Sequence, residues 1–371
     1  MKFVDTFDEH RKNPDVSLGE YIKKRRHQLC DEISSKKKLY LDTKYWIYIR
    51  DVALERSNDI ILKQILDGLR DLVKREIAIC PISDEIFYEL LLQTDPVTLN
   101  QTVELIDELS QGVAILSSEE RVMYETLYFF NWFYNGNNKL HPQEETVWSK
   151  VSYIYGLTHP SNEMWGEDEQ VIQKALFDQM WSLSLADVTK TIGMENILNW
   201  PRHNDISEKL TKEKIEHSKE NKSFKQLYLS EFAGVLDVYR DLILEGFEYF
   251  YMHKTGNKVT QEERQNPEAR KIVNVIYNLF KLGKLGTFFP SFIVEAGLYA
   301  SVRNDLPRKY KTNDFSDFRH AKAALPYFDA FFTERSLKNL VCANNISLDK
   351  KYSCEVFYKP EKVLNYIKIK S

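Results

Sequence analysis

From Lys38 onward, short continuous apolar runs alternate with apolar stripes at helical spacing. Leu39, Tyr40 and Leu41 form a strand-like run with lysines before it and Asp42 and Thr43 after it, and Tyr45, Trp46 and Ile49 then recur at helical intervals. A strand therefore ends at Asp42 and a helix starts almost at once. Ile61, Leu62, Ile65, Leu66 and Leu69 share one face of a second helix over Asp59 to Val73. Ile77 to Cys80 reads as a strand stopped by Pro81. Ser83 or Asp84 can then cap a helix through IFYELLLQ, which carries Glu85 and Glu89 one turn apart. Pro96 opens a helix to Leu109, and Gly112 leads into a strand over Val113 to Leu116.

The alternation stops at Ser118. As far as about Lys284 the chain shows helical patterns rich in Trp, Tyr and Phe, interrupted by the loops NGNNKLHPQEE, WPRHNDISEK and HKTGNKVTQEERQNPE and by the charged run Lys209 to Lys225, a solvated helix or mobile segment. The strand-helix style returns near Thr287. A helix over Phe289 to Arg303, opened by Pro290, buries Phe292, Ile293, Ala296 and Tyr299 or Ala300. The loop NDLPRKYKTND follows, then a helix over Phe315 to Leu325, a strand over Ala330 to Thr333, a helix over Glu334 to Cys342, a strand over Cys354 to Tyr358, and a closing helix from Glu361. The predicted class is α/β with four segments: a polar helical leader over 1–37, the first part of the α/β domain over 38–117, an all-helical insertion over 118–286, and the second part over 287–371.

With 371 residues and 43% hydrophobic content, the chain can bury an ample core. Its 21 Tyr and 21 Phe against 13 Gly and 11 Pro suit a helix-rich interior better than a turn-rich β protein. A net charge of −4 excludes a wholly basic nucleic-acid binder, so any polyanion site has to be a local basic patch. Cys30, Cys80, Cys342 and Cys354 make no Cys-x-x-Cys pair, which argues against structural zinc. The first residues lack the apolar core of a signal peptide, and no run approaches the ~18 apolar residues of a membrane helix. The expectation is a cytoplasmic protein with reduced thiols and no membrane contact.

Four acids occupy matching places in this pattern: Asp42 closes the first strand, Glu89 lies in the helix after the second, Asp317 lies in the helix entered through NDFSDFRHA, and Glu334 follows the strand DAFFT. Ligands of open α/β sheets sit beyond the carboxyl ends of the strands, although an Asp at such a junction can equally serve as a helix N-cap. In order, LYLDT, YELL, DFRHA and FFTE resemble the PIN-domain nucleases. The resemblance covers about Lys38 to Leu116 and Thr287 to Tyr358. It implies a three-layer α/β domain whose central parallel sheet gathers three or four carboxylates around Mg²⁺ or Mn²⁺ to cleave RNA, or in some members DNA. Asp42, Glu89, Asp317 and Glu334 are then the implied catalytic and metal-binding residues. The sequence departs from the family where Lys44 stands in place of the common Asn after Asp-Thr, and where Glu334 stands for the more familiar Asp.

The chemistry of these side chains agrees with that implication. Mg²⁺ takes hard oxygen ligands, and clustered carboxylates need a cation to share their charge. Glu85 competes with Glu89 for its role. Asp314 is expected as the N-cap of the Asp317 helix, His320 as a packed or hydrogen-bonded residue, and Asp329 as structural. Thr43 and Thr333 are expected to orient water or carboxylate. Lys44, Arg50, Arg303, Arg308, Lys309, Lys311, Arg319, Lys322 and Arg335 flank the same loops as solvated charges that can hold a nucleic-acid backbone, with Tyr45 and Tyr310 as candidate stacking rings. A haloacid-dehalogenase-type phosphatase needs a second acid where Lys44 stands, and is set aside. The partner expected is a nucleic acid, RNA ahead of DNA. The alternative is a non-catalytic PIN-like scaffold that binds a protein or nucleic-acid partner through the helical insertion.

Overall fold

Six short strands organise the described chain: β1 (Lys37–Leu41), β2 (Ala78–Ile79), β3 (Val113–Ile115), β4 (Trp148–Lys150), β5 (Ala330–Phe332) and β6 (Glu355–Phe357). They come from a computed structural model that describes residues 3–91, 93, 95–136, 146–157, 159–193, 206–218, 220, 223–258, 260 and 267–370. β1 pairs in parallel with β2 and with β5, and β5 with β6, in the order β2-β1-β5-β6. Leu39 stands opposite Ala330 and Leu41 opposite Phe332, so the two ends of the chain build one sheet. Leu39, Tyr40, Leu41, Ala330, Phe331 and Phe332 are all buried. Successive strand residues point to opposite faces, so helices must cover both sides, as a parallel sheet requires.

The covering helices start where the sequence supplies a cap. Asp59 Oδ1 accepts from the N–H groups of Ile61 and Leu62 at 2.8 and 3.1 Å and opens the Ile60–Lys74 helix, whose Leu62, Ile65, Leu66 and Leu69 are buried. Asp95 and a proline at the first helical position open Pro96–Ser110 in the same way. The Thr43–Ala53 helix packs on both of these, and the closing Pro360–Lys370 helix packs on Ile60–Lys74. The result is a mostly helical chain around a small parallel sheet, an α/β arrangement.

Three expectations need correction. The stretch from 118 to 286 is not all helical, because β4 returns to pair antiparallel with β3, with Leu116 N–H donating to Val147 O at 2.9 Å beyond it. β3 lies beside the chain just past β2, through a parallel bridge between Ile82 and Ala114. Three residues are too few to display alternation, and β4 is held by the Trp148 ring against Phe328 at 5.3 Å. The second strand ends before Cys80, whose N–H turns to Leu109 O at 2.9 Å. The N-terminal residues are not merely a polar leader: the Leu18–Ile33 helix, begun by a Ser17 and Glu20 capping box, buries Leu29 and Ile33. Asp178 of the insertion accepts from Thr6 at 2.9 Å and Tyr21 at 2.7 Å and pairs with His10 at 2.7 Å.

Much of the three expected insertion loops lies outside the described residues. The charged run is helical at its start, within Ser207–Glu216. All four cysteines are free. No helix among the described residues is long and apolar enough to cross a membrane.

Candidate active site

Asp42 continues the sheet register past β1. Its N–H donates to Phe332 O at 3.0 Å, which sets it beside Thr333 at the end of β5. Its carboxylate also accepts the Tyr45 N–H at 3.3 Å, so it caps the Thr43–Ala53 helix and also lines a cavity. Glu334 holds the N-cap position of Arg335–Val341 without making a side-chain cap bond. Asp317 lies in the first turn of Asp314–Ala324. Residues 325–329 join that helix to β5, and Asp317 lines the same cavity as Asp42. Glu89 lies on Asp84–Leu91, which Ser83 caps by accepting the Ile86 N–H at 3.3 Å.

All four acids line one cavity of about 320 Å³ together with Lys44 and His320. Glu85 does not reach it; it is buried with Arg319 at 3.5 Å. A larger cavity of about 470 Å³ opens among Leu210, Val235, Tyr299 and Tyr310, away from these acids.

The charges in the smaller cavity are out of balance. Burial pushes the Asp42 carboxyl up to about 6, with Glu334 adding to it against the pull of His320, the Thr333 hydroxyl and the Tyr45 N–H. Burial likewise pushes Asp317 up to about 7, opposed by His320 and reinforced by Asp42, Glu334 and Asp314. Glu89 goes the other way: burial raises it, but His320, Ser316 and Thr43 outweigh burial and hold it at about 2. His320 answers as the cation, because burial lowers its pKa while the bond to Glu89 and the charges of Glu89, Glu85 and Asp42 raise it to about 9.

Asp42, Asp317 and Glu334 supply only hard oxygen donors, and no thiol lines the cavity. Thr333 is fully buried, and its hydroxyl lies beside the Asp42 carboxylate, whose pKa it lowers. Carboxylates that raise one another's pKa, with only oxygen donors among them, fit a site for a hard divalent cation. Among the described residues, however, no three His, Cys, Asp or Glu side chains already stand close enough together to hold an ion.

The neighbouring expectations divide. Thr43 orients a carboxylate, as expected, by donating to Glu89. Asp314 is not a cap; it accepts from Arg308 at 2.7 Å and from Lys311 N–H at 2.9 Å, tying down the preceding loop. Asp329 is structural, accepting from Lys37 Nζ at 2.6 Å and Lys38 N–H at 2.9 Å where β1 begins. Lys44 lies over the Tyr48 ring at 5.6 Å. Arg50, Arg303, Arg308 and Arg319 are paired with Asp51, Glu231, Asp314 and Glu85. Lys322, expected as a solvated charge, is buried on Glu295 at 2.7 Å. Tyr45 and Tyr310 are buried, Tyr310 along the larger cavity. Asn313 and Ser316 also line the cavity and were not anticipated. The signal was present, since Asn313, Ser316, Asp317 and His320 form a polar stripe at i, i+3, i+4 and i+7. No family model, curated protein or solved structure matches this chain.

Proposed function

We propose that this chain is a metal-dependent, PIN-like endonuclease that hydrolyses phosphodiester bonds, of RNA in preference to DNA. One observation carries the proposal: acids from four separate segments line a single cavity at the carboxyl edge of a parallel sheet. The direct pairing of the first strand with Ala330–Phe332 supports the PIN-like reading as well. Asp42, Asp317 and Glu334 would hold Mg²⁺ or Mn²⁺, with Glu89 beside them. When bound, such an ion polarises a phosphoryl oxygen and lowers the pKa of a coordinated water. The chain's own residues fix the carboxylates through the Asp42 cap and the Asp317 helix, and they bring the Lys44 ammonium to the cavity where a phosphate would approach. Lys309 and Lys311 on the preceding loop and Arg335 at the start of its helix are exposed and extend that charge. The alternative, a non-catalytic PIN-like scaffold that uses its insertion to bind a partner, draws support from the pairing of five expected backbone contacts with acids of this chain.

Cleavage of labelled single-stranded RNA and DNA with Mg²⁺, Mn²⁺ or EDTA tests the proposal. Asp42→Asn and Asp317→Asn should each lower the rate by orders of magnitude, roughly 100-fold or more. Both variants should melt no lower than wild type at pH 8, because each removes a carboxylate that burial and like charges already destabilise. Activity that survives EDTA, or either substitution, defeats the metal mechanism. A folded wild type inert across the whole panel favours the scaffold.

A further inference from the structure

Among the four cavity acids, Glu89 has both carboxylate oxygens bonded by side chains of three different residues. Ser316 donates to Oε1 and Thr43 to Oε2, and His320 Nε2 lies 3.2 Å from Oε2. The network then closes on itself. His320 Nδ1 lies 2.8 Å from the Tyr40 hydroxyl, which lies 2.7 Å from Ser83 Oγ, and Ser83 caps the helix that carries Glu89. Two of the donors to Glu89 are chain neighbours of the other acids: Thr43 follows Asp42, and Ser316 precedes Asp317. A bond to each ties the end of β1 to the first turn of the Asp317 helix through one carboxylate. To turn toward an ion, Glu89 would have to release three hydrogen bonds, one of them from a buried cation.

We infer that Glu89 is a positioning residue and not a metal ligand: it clamps the Asp42 and Asp317 segments at a fixed separation and leaves Asp42, Asp317 and Glu334 as the ion-binding set. This rests on the metal-site reading of the cavity. A glutamine at position 89 keeps the side-chain length and an acceptor for the hydroxyls, so the clamp tolerates it, whereas a ligand does not.

The test is Mn²⁺ binding to the full chain by calorimetry, with a double-mutant cycle in metal-free thermal unfolding. Glu89→Gln should hold the Mn²⁺ Kd within about tenfold, Glu89→Ala should weaken it by roughly 10- to 100-fold, and Asp317→Asn should weaken it by more than about 100-fold. Thr43→Val and Ser316→Ala should shift Kd in the same direction as Glu89→Ala, and they carry the test if that variant folds poorly. In the cycle, Ser316→Ala and Glu89→Ala should be non-additive, the double variant melting little below the weaker single one. Glu89→Gln losing Mn²⁺ as severely as Asp317→Asn overturns the inference, and so does an additive cycle. If wild type binds no Mn²⁺, the metal-site reading falls by itself; coupling in the cycle then sustains the clamp, and additivity removes it.

Discussion

A carboxyl sealed from water without a matching cation stays protonated longer in the folded chain than in the unfolded one, and Glu125 is such a group. Ser291 Oγ donates to it at 2.5 Å and the Tyr327 hydroxyl at 3.0 Å. Burial nevertheless pushes it up to about 7, against those bonds and the charge of Arg121. The folded state therefore binds the extra proton between the ordinary value of 4.5 and about 7. Stability falls as pH rises through that window, and the loss is complete above it. Glu125→Gln keeps the acceptor and removes the titration. The difference in unfolding free energy between wild type and this variant should move against wild type by about 3 kcal/mol from pH 4 to pH 8. A difference that does not change with pH would mean that Glu125 titrates alike in both states. The same scale sets the limit of the sequence. Asp42 and Glu334 were legible because each sits where an apolar run ends, and Asp317 because it lies in the first turn of a helix. Which side chain pairs with which was not legible: the commitment of Glu89 to Thr43, Ser316 and His320 depends on three elements meeting in space, and Lys322 looks like any surface lysine until Glu295 and Tyr239 are placed beside it.

Among elements, the contact between the Ile60–Lys74 and Pro360–Lys370 helices turns on one missing side chain. A Cβ built on Gly68 would lie 2.7 Å from Ile367 Cγ2, an atom held one bond from a β-branched centre, so it cannot swing away. Overpacking costs about 1–3 kcal/mol, and replacing a helical glycine by alanine returns up to about 1 kcal/mol. Gly68→Ala should therefore lower stability by about 1 kcal/mol in wild type, yet raise it in an Ile367→Ala background, where the helix preference acts alone. Chemical denaturation of the four proteins reads both signs, and a gain in the wild-type background would show that the helices separate at no cost. The apolar stripe of Ile60–Lys74 was plain in sequence because one of its faces is wet. Pro290–Asn304 was harder to orient, since it lies between Phe224–Val238 and Asp314–Ala324 and is buried from Pro290 to Val294 and again on most positions to Val302. A helix buried on nearly every side has no single stripe to find. β4 escaped for the opposite reason, being only three residue pairs long.

At the scale of the whole molecule, the helical insertion does more than interrupt the sheet; it holds the loop that leads into the Asp317 helix. Lys214 is buried and donates to the carbonyl oxygens of Asp305, at 2.6 Å, and of Arg308. Thr211, one turn earlier, accepts the Tyr310 N–H at 3.0 Å. The Lys322 ammonium adds a second brace, donating to Tyr239, between two insertion helices, at 2.8 Å and to Glu295 at 2.7 Å. Neither lysine announced itself, because burial of an ammonium depends on acceptors far away in the chain. Removing the Lys214 ammonium takes away charge-assisted bonds worth about 1.5–3 kcal/mol, and the loss falls on the loop over 305–313 rather than on the sheet. Hydrogen exchange should then show the Tyr310 amide opening roughly 10- to 100-fold faster in Lys214→Ala, while the Thr333 amide, bonded to Phe357 O at 2.8 Å inside the sheet, keeps its wild-type rate. Unchanged protection at Tyr310 would mean that the loop holds itself. Equal acceleration at both amides would mean that insertion and sheet open as a single unit, so the insertion would reach the cavity through global stability and not through this loop.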